Sequence, residues 1–175
     1  GQMTIIRALL AGLAAALFAT GAAHAGPTLD AIKSRGSLRC AVNTGLQGFA
    51  APDSQGRWSG IDVDFCRALA AAILGDPAKV EFRPTNTQNR FTTLQTGEVD
   101  VLSHNTTWSA SRDSALGIVF AGVLFYDGQG FMVPKSLGVR GADELDGATV
   151  CILPGTTTEL NLTDWFRAHG MQYRP

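Results

Sequence analysis

NRFTTLQTGEVDVLSHNTTWSASR, residues 89–112, is the stretch that decides the fold. NRFTTLQTG predicts a short helix that stops at Gly97 and turns Phe91 and Leu94 inward. VDVLS (99–103) is a brief apolar run of the kind that forms a buried strand. Just past it the chain collects an amide, several hydroxyls and a guanidinium in Asn105, Thr106, Thr107, Ser109, Ser111 and Arg112. Working back from this segment, KVEFRP (79–84) reads as a strand. Before it, GIDVDFCRALAAAIL reads as a helix whose buried face repeats at Cys66, Leu69, Ala70 and Ile73, with Asp62 as N-cap and Gly75 as stop. LRCAVN (38–43) is the first strand, after a short helix in LDAIKSRGS that ends at Gly36. Strand–helix–strand–helix–strand alternation predicts an α/β fold with a parallel sheet. In such sheets ligands bind beyond the carboxyl ends of the strands. NTGLQGF (43–49), after the first strand, and NTTWSASR (105–112), after the third, are therefore expected to face one crevice.

The opposite direction reads differently. Residues 116–139 are strand-rich and punctuated by glycine, which fits an extended crossing into a second lobe better than another strand–helix unit. ATVCIL (148–153) is expected to be a buried strand, and PGTTTE opens a helix in LNLTDWFRAHG. Thr156, Thr157, Thr158 and Glu159 match the capping-box pattern. A helix start placed directly after a strand also offers free amides to an anion, so capping alone and ligand binding both stay open there.

The front of the chain sets the compartment. From Met3, one basic residue, Arg7, precedes an Ala/Leu-rich run, and Ala23-His24-Ala25 supplies a small-x-small cleavage pattern. That predicts a secretory signal peptide over 1–25, cut before Gly26, and no stable membrane insertion. Removing Arg7 from the 14 basic residues leaves 13 against 15 acidic ones, too little positive charge for nucleic acid or an anionic membrane surface. Three cysteines, Cys40, Cys66 and Cys151, would then meet an oxidising compartment, where one disulfide and buried free thiols are equally compatible with an odd count. No cysteine–histidine cluster suggests a metal site.

GIDVDFCRALAAAI, NRFTTLQTGEVDVLSHNTTWSASR, FYDGQGFMV and ATVCILPGTTTELN occur in the order found in periplasmic solute-binding proteins of the polar amino-acid ABC importers. From 26 to 175 the chain resembles that group, the bacterial extracellular solute-binding proteins of family 3, and within it the general L-amino-acid-binding branch. The resemblance implies a two-lobed, type II periplasmic-binding-protein-like α/β fold. Lobe 1 would span 26–125, a hinge crossing 126–134, and a truncated second lobe 135–175. It implies a monomer in the periplasm that captures free amino acids with broad specificity and hands them to permease subunits, with no cofactor, no catalytic residue and no metal.

By the same resemblance Arg112 forms the two-pronged contact to the ligand's α-carboxylate. Thr107 meets the amino group or the carboxylate, and Asn105 adds a carbonyl or its side chain. Gly155, Thr156 and Thr157 approach the same carboxylate from the other lobe. Asn43 and Leu46 stand where binders of basic amino acids carry an acid and an aromatic clamp, and this departure implies loose side-chain selection. The family continues beyond the length seen here, so the resemblance implies a fragment or a truncated gene, with the acid that holds the α-ammonium lying in the remainder. Two other functions use this scaffold: an amino-acid-sensing input domain, and a secreted dehydratase-like enzyme that would need a general acid such as Glu159. Asp62 and Asp64 read as caps, His104 as a packed or exposed side chain, and Trp58, Trp108 and Trp165 as packing residues. Arg90 fits either the cleft or a solvated helix face.

Overall fold

A computed structural model describes residues 26–175; the expected signal peptide, 1–25, lies outside the described residues. The described residues open with α1 (Pro27–Arg35), which has proline in its first turn and Gly36 in the left-handed conformation at its end. β1 (Leu38–Asn43) follows, then a two-stranded antiparallel ribbon of β2 (Ala51–Pro52) and β3 (Trp58–Ser59). α2 (Ile61–Leu74), β4 (Val80–Thr85), α3 (Arg90–Gln95), β5 (Val101–Leu102) and α4 (Ala110–Ala115) complete this part. Beyond it come single 3₁₀ turns at Lys135–Leu137 and Ala142–Glu144, then α5 (Thr157–Ala168).

The sheet runs β4–β1–β5 with all three strands parallel, as the alternation predicts. β1 is central, and Leu38, Cys40, Ala41 and Val42 are fully buried, because a middle parallel strand is covered on both faces. α2 packs Val63, Cys66 and Ala70 against it, with Leu69 and Ile73 half-buried at the rim. The register sets Asn43 opposite Thr85 and Ala41 opposite Leu102, so the polar residues after all three strands emerge at one edge of the sheet. A separate apolar cluster of Leu145, Leu162 and Phe166, joined by Val133, Val150, Trp165 and Tyr173, lies in the later part of the chain.

Cys40 and Cys66 form a disulfide that ties β1 to α2, with Cα atoms 6.3 Å apart, and Cys151 is free and exposed. The bridge closes a loop of 26 residues, for which the loop-entropy account gives about 3.5 kcal/mol of stabilisation. Reduction is therefore expected to lower the urea midpoint by well over 1 M if the slope is about 2 kcal/mol/M. An unchanged midpoint with and without dithiothreitol would show that the bridge contributes nothing.

Three local expectations are corrected. Asp62 is not the N-cap of α2: Gly60 holds that position, and the amides of Ile61 and Asp62 donate to the carbonyls of Gly48 and Phe49 at 3.0 Å each. The approach needs glycine, because a Cβ at Gly60 would run into the Phe49 carbonyl. On α3 the residues turned fully inward are Arg90 and Thr93, while Phe91 and Leu94 are half-buried. ATVCIL forms no regular strand. Its backbone bonds to the segment after α5 only around Ala148–Val150, through the bridge of Thr149 to Arg174, and Cys151 and Leu153 are exposed. That pairing is too short to make a ladder.

Candidate functional site

At the carboxyl edge of the sheet, β4 leads into Thr87 and Arg90, and β5 leads into Asn105, Thr107 and, on α4, Arg112. Facing them is the turn before α5. Thr156 caps that helix by accepting from the Glu159 amide at 3.1 Å, and the Glu159 carboxylate accepts from the Gly155 amide at 3.0 Å. The capping box is thus present, with its carboxylate reaching one residue further back than the pattern specifies. Gly155 has φ +76°, and a Cβ there would stand 3.0 Å from the Thr87 carbonyl oxygen, so both its conformation and its close approach require glycine.

Direct bonds join the two sides. Thr87 Oγ1 donates to the Pro154 carbonyl at 2.8 Å, and Thr157 Oγ1 donates to Thr107 Oγ1 at 3.2 Å. The crossing segment closes a third side: Gln129 donates to the Thr158 carbonyl and accepts from Asn161, each at 3.0 Å. Between these walls lies a cavity of about 370 Å³ lined by Arg90, Asn105, Thr107, Asp127 and Thr156–Thr158 among others.

Two guanidinium groups dominate its electrostatics. Arg112 Nη1 donates to the Thr107 carbonyl at 3.0 Å, and Arg90 Nη1 donates to the His104 carbonyl at 3.3 Å. Both also reach the carbonyl of Gly155, at 3.5 and 3.4 Å. The Phe91 ring takes both, each guanidinium carbon 5.0 Å from its centroid. Among the described residues neither arginine has a carboxylate partner. Arg90 is 2% exposed and its Nε has no hydrogen-bond acceptor. Burial, and then the Arg112 charge, pull its pKa down to about 10, and burial also lowers that of Arg112. A buried cation without a counter-charge costs free energy, so the geometry is suited to an anion supplied from outside.

Of the residues singled out by sequence, Asn105, Thr107, Thr156 and Thr157 line the cavity. Gly155 and Arg112 are not among its lining residues and are joined by their own contact. Asn43 lies at the β1 end, donating from Nδ2 to Asn105 Oδ1 at 3.0 Å, so both strand ends do meet. Leu46 sits on the β1–β2 loop, where its backbone pairs with Ala50, and does not line the cavity. His104 is buried, its Nε2 2.8 Å from the Thr85 carbonyl oxygen, and desolvation lowers its pKa. Trp58 and Trp165 pack in the two cores; Trp108 stays half-exposed and stacks on Phe120. Arg90, left open by sequence, belongs to the cleft, and Thr87, Asp127 and Gln129 were not foreseen. Among the described residues no group of three or more His, Cys, Asp or Glu could hold a metal ion, and no helix is long and apolar enough to cross a membrane.

Residues 38–161 match the model of the bacterial extracellular solute-binding proteins, family 3. The general L-amino acid-binding periplasmic protein AapJ of Rhizobium johnstonii is 56% identical over 95% of this chain and 49% of its own length. The glutamate/glutamine/aspartate/asparagine-binding protein BztA of Rhodobacter capsulatus is 55% identical over 96% of this chain and 49% of its own. A solved periplasmic binding protein from Brucella ovis, with glutathione bound, superposes with a TM-score of 0.81 at 57% identity, over 87% of this chain and 48% of that one. The chain thus spans about half the length of the curated relatives it matches.

Proposed function

Because the chain belongs to the bacterial extracellular solute-binding proteins of family 3 and has their type II periplasmic-binding-protein fold, we propose that it captures amino acids for an ABC importer. The observation that carries this reading is the pair of guanidinium groups, Arg90 and Arg112, set against the Gly155–Thr157 turn without an ion-pair partner among the described residues. Arg112 takes the α-carboxylate through its two-pronged fork. Thr107 and the first amides of α5, that of Thr157 among them, donate to the same group, and Asn105 and Thr156 frame it. Arg90 faces the ligand's side chain, where it suits an acid or an amide.

No fixed negative charge selects a basic side chain at Asn43, and Leu46 lies outside the cavity lining and clamps none. Broad specificity follows, in keeping with the names of the two curated relatives, one general and one for two acids and their amides. The two separate apolar cores support a lobe over 26–125, a hinge crossing at 126–134 and a second lobe from 135. We place the protein in the periplasm as a monomer that delivers its ligand unchanged to permease subunits.

Calorimetric titration of the full-length protein with the twenty amino acids tests the reading. Several ligands are expected to bind, acids and amides among them, and to be recovered unchanged; no binding, or turnover, would overturn it. Asn43→Asp is expected to shift preference toward lysine and arginine by about fivefold, since a carboxylate in a half-buried site contributes about 1 kcal/mol of attraction. Competition of lysine against leucine reads this shift, and an unchanged ratio would place Asn43 outside the side-chain pocket.

A further inference from the structure

Asp62 has no part in the site as described so far, yet it is a buried carboxylate, 4% exposed, inside the first turn of α2. Helix starts favour acids as caps, but here the carbonyls of Gly48 and Phe49 already satisfy the first amides of the helix. The Asp62 side chain is thereby free to turn across to the end of β5. There Oδ1 accepts from Ser103 Oγ at 3.3 Å, and Oδ2 accepts from the backbone amide of Asn105 at 3.1 Å.

Asn105 is the residue on which this acts. Among the described residues it is the only one other than glycine with positive φ, at +30°. That conformation is uncommon for a residue with a side chain, although asparagine tolerates it better than most. The bend lets one residue do two things: its amide faces inward to Asp62, while its side chain reaches the Asn43 amide and the cavity wall. Two residues on, Thr107 supplies the carbonyl that holds Arg112.

We propose that Asp62 is a positioning residue for ligand binding: by accepting the Asn105 amide it fixes the left-handed bend that aims Asn105, Thr107 and Arg112 at the cleft. The acceptor oxygen carries this role and the charge does not. The inference rests on the reading that Asn105 and Arg112 belong to an amino-acid site, but its first readout needs no ligand.

The experiment compares the full-length protein with Asp62→Ala and Asp62→Asn, each also in an Asn105→Gly background. Hydrogen exchange at the Asn105 amide and the affinity for glutamine are measured. In the wild type the amide is expected to be protected; in Asp62→Ala it exchanges at least about tenfold faster and glutamine binds at least about tenfold more weakly, as expected for a lost buried acceptor. Asp62→Asn, which can still present an oxygen, is expected to stay within about threefold of the wild type on both measures. Glycine adopts the bend unaided, so in the Asn105→Gly background Asp62→Ala is expected to change affinity by less than about threefold. An unprotected Asn105 amide in the wild type overturns the proposal without any variant, as does an equal affinity loss in both backgrounds. If the wild type binds no amino acid, the functional reading fails, and the exchange data alone still decide whether Asp62 holds the bend.

Discussion

Arg112→Lys in the full-length protein is expected to weaken every amino-acid ligand together, by about 30- to 150-fold, while leaving the unfolding midpoint nearly unchanged. The guanidinium is planar and forked, and it is held in plane by the Thr107 carbonyl at 3.0 Å and by the Phe91 ring. A carboxylate arriving opposite Thr157 would meet two parallel donors. Lysine keeps the charge and one donor direction but loses the second bond and the stacking. Losing one charge-assisted bond in a shielded cleft costs about 2–3 kcal/mol, which is the range stated. The uniformity of the loss is the sharper part, because all amino acids share the α-carboxylate. Stability should hold, since Arg112 sits on the six-residue α4, where none of the residues is buried. Titration with leucine, glutamine and glutamate, beside a thermal melt, reads both parts. A loss confined to glutamate would instead assign Arg112 to the side-chain pocket.

Local signals made most of the first lobe legible. The glycines that end α1 and α2 and the apolar run of β1 each depend on a few neighbouring residues, and the parallel order β4–β1–β5 follows from their alternation. The placement of the polar cluster after β5 along a cavity was legible for the same reason: small polar residues past a buried strand have little to do in a core. What could not be read was set by contacts distant in sequence. Asp62 looks like a cap until the Gly48 and Phe49 carbonyls arrive from a preceding loop and take over that task. The Cys40–Cys66 pairing depends on how α2 lies over β1, which no spacing rule states. ATVCIL has the composition of a strand, but strand structure requires a partner, and among the described residues its one bridge is that of Thr149 to Arg174. Arg90 was undecidable because helix periodicity ranks an arginine as the outward residue, whereas here the inward face opens onto a polar cavity.

The inward placement of Arg90, left open by sequence, carries the second large expectation. Arg90→Met should raise the stability of the ligand-free protein while lowering its affinity for glutamate by about tenfold to a hundredfold. Arg90 is a base whose folded-state pKa is drawn down from its ordinary value to about 10, by burial first and by Arg112 second. A depressed pKa on a base means that folding disfavours its charged form. The penalty is therefore present in full at every pH below about 10 and is relieved only as pH rises toward the unfolded value. At neutral pH, with allowance for solvent reaching the cleft, it amounts to about 2 kcal/mol. Methionine fills similar volume with an unbranched apolar chain, removes the repulsion with Arg112, and gives up two long bonds, at 3.3 and 3.4 Å, and the cationic contact with the Phe91 ring, with an Nε that had no acceptor. Glutamate would lose the cation facing its side-chain carboxylate, leucine would lose nothing, and glutamine would fall between them. A melt of the ligand-free variant, with titrations of those three ligands, separates the alternatives. If stability falls and all three ligands weaken equally, Arg90 is a structural strut of the cleft. If stability rises, glutamate weakens most and leucine is unchanged, the fold carries a buried charge whose cost is offset when an acidic ligand is bound.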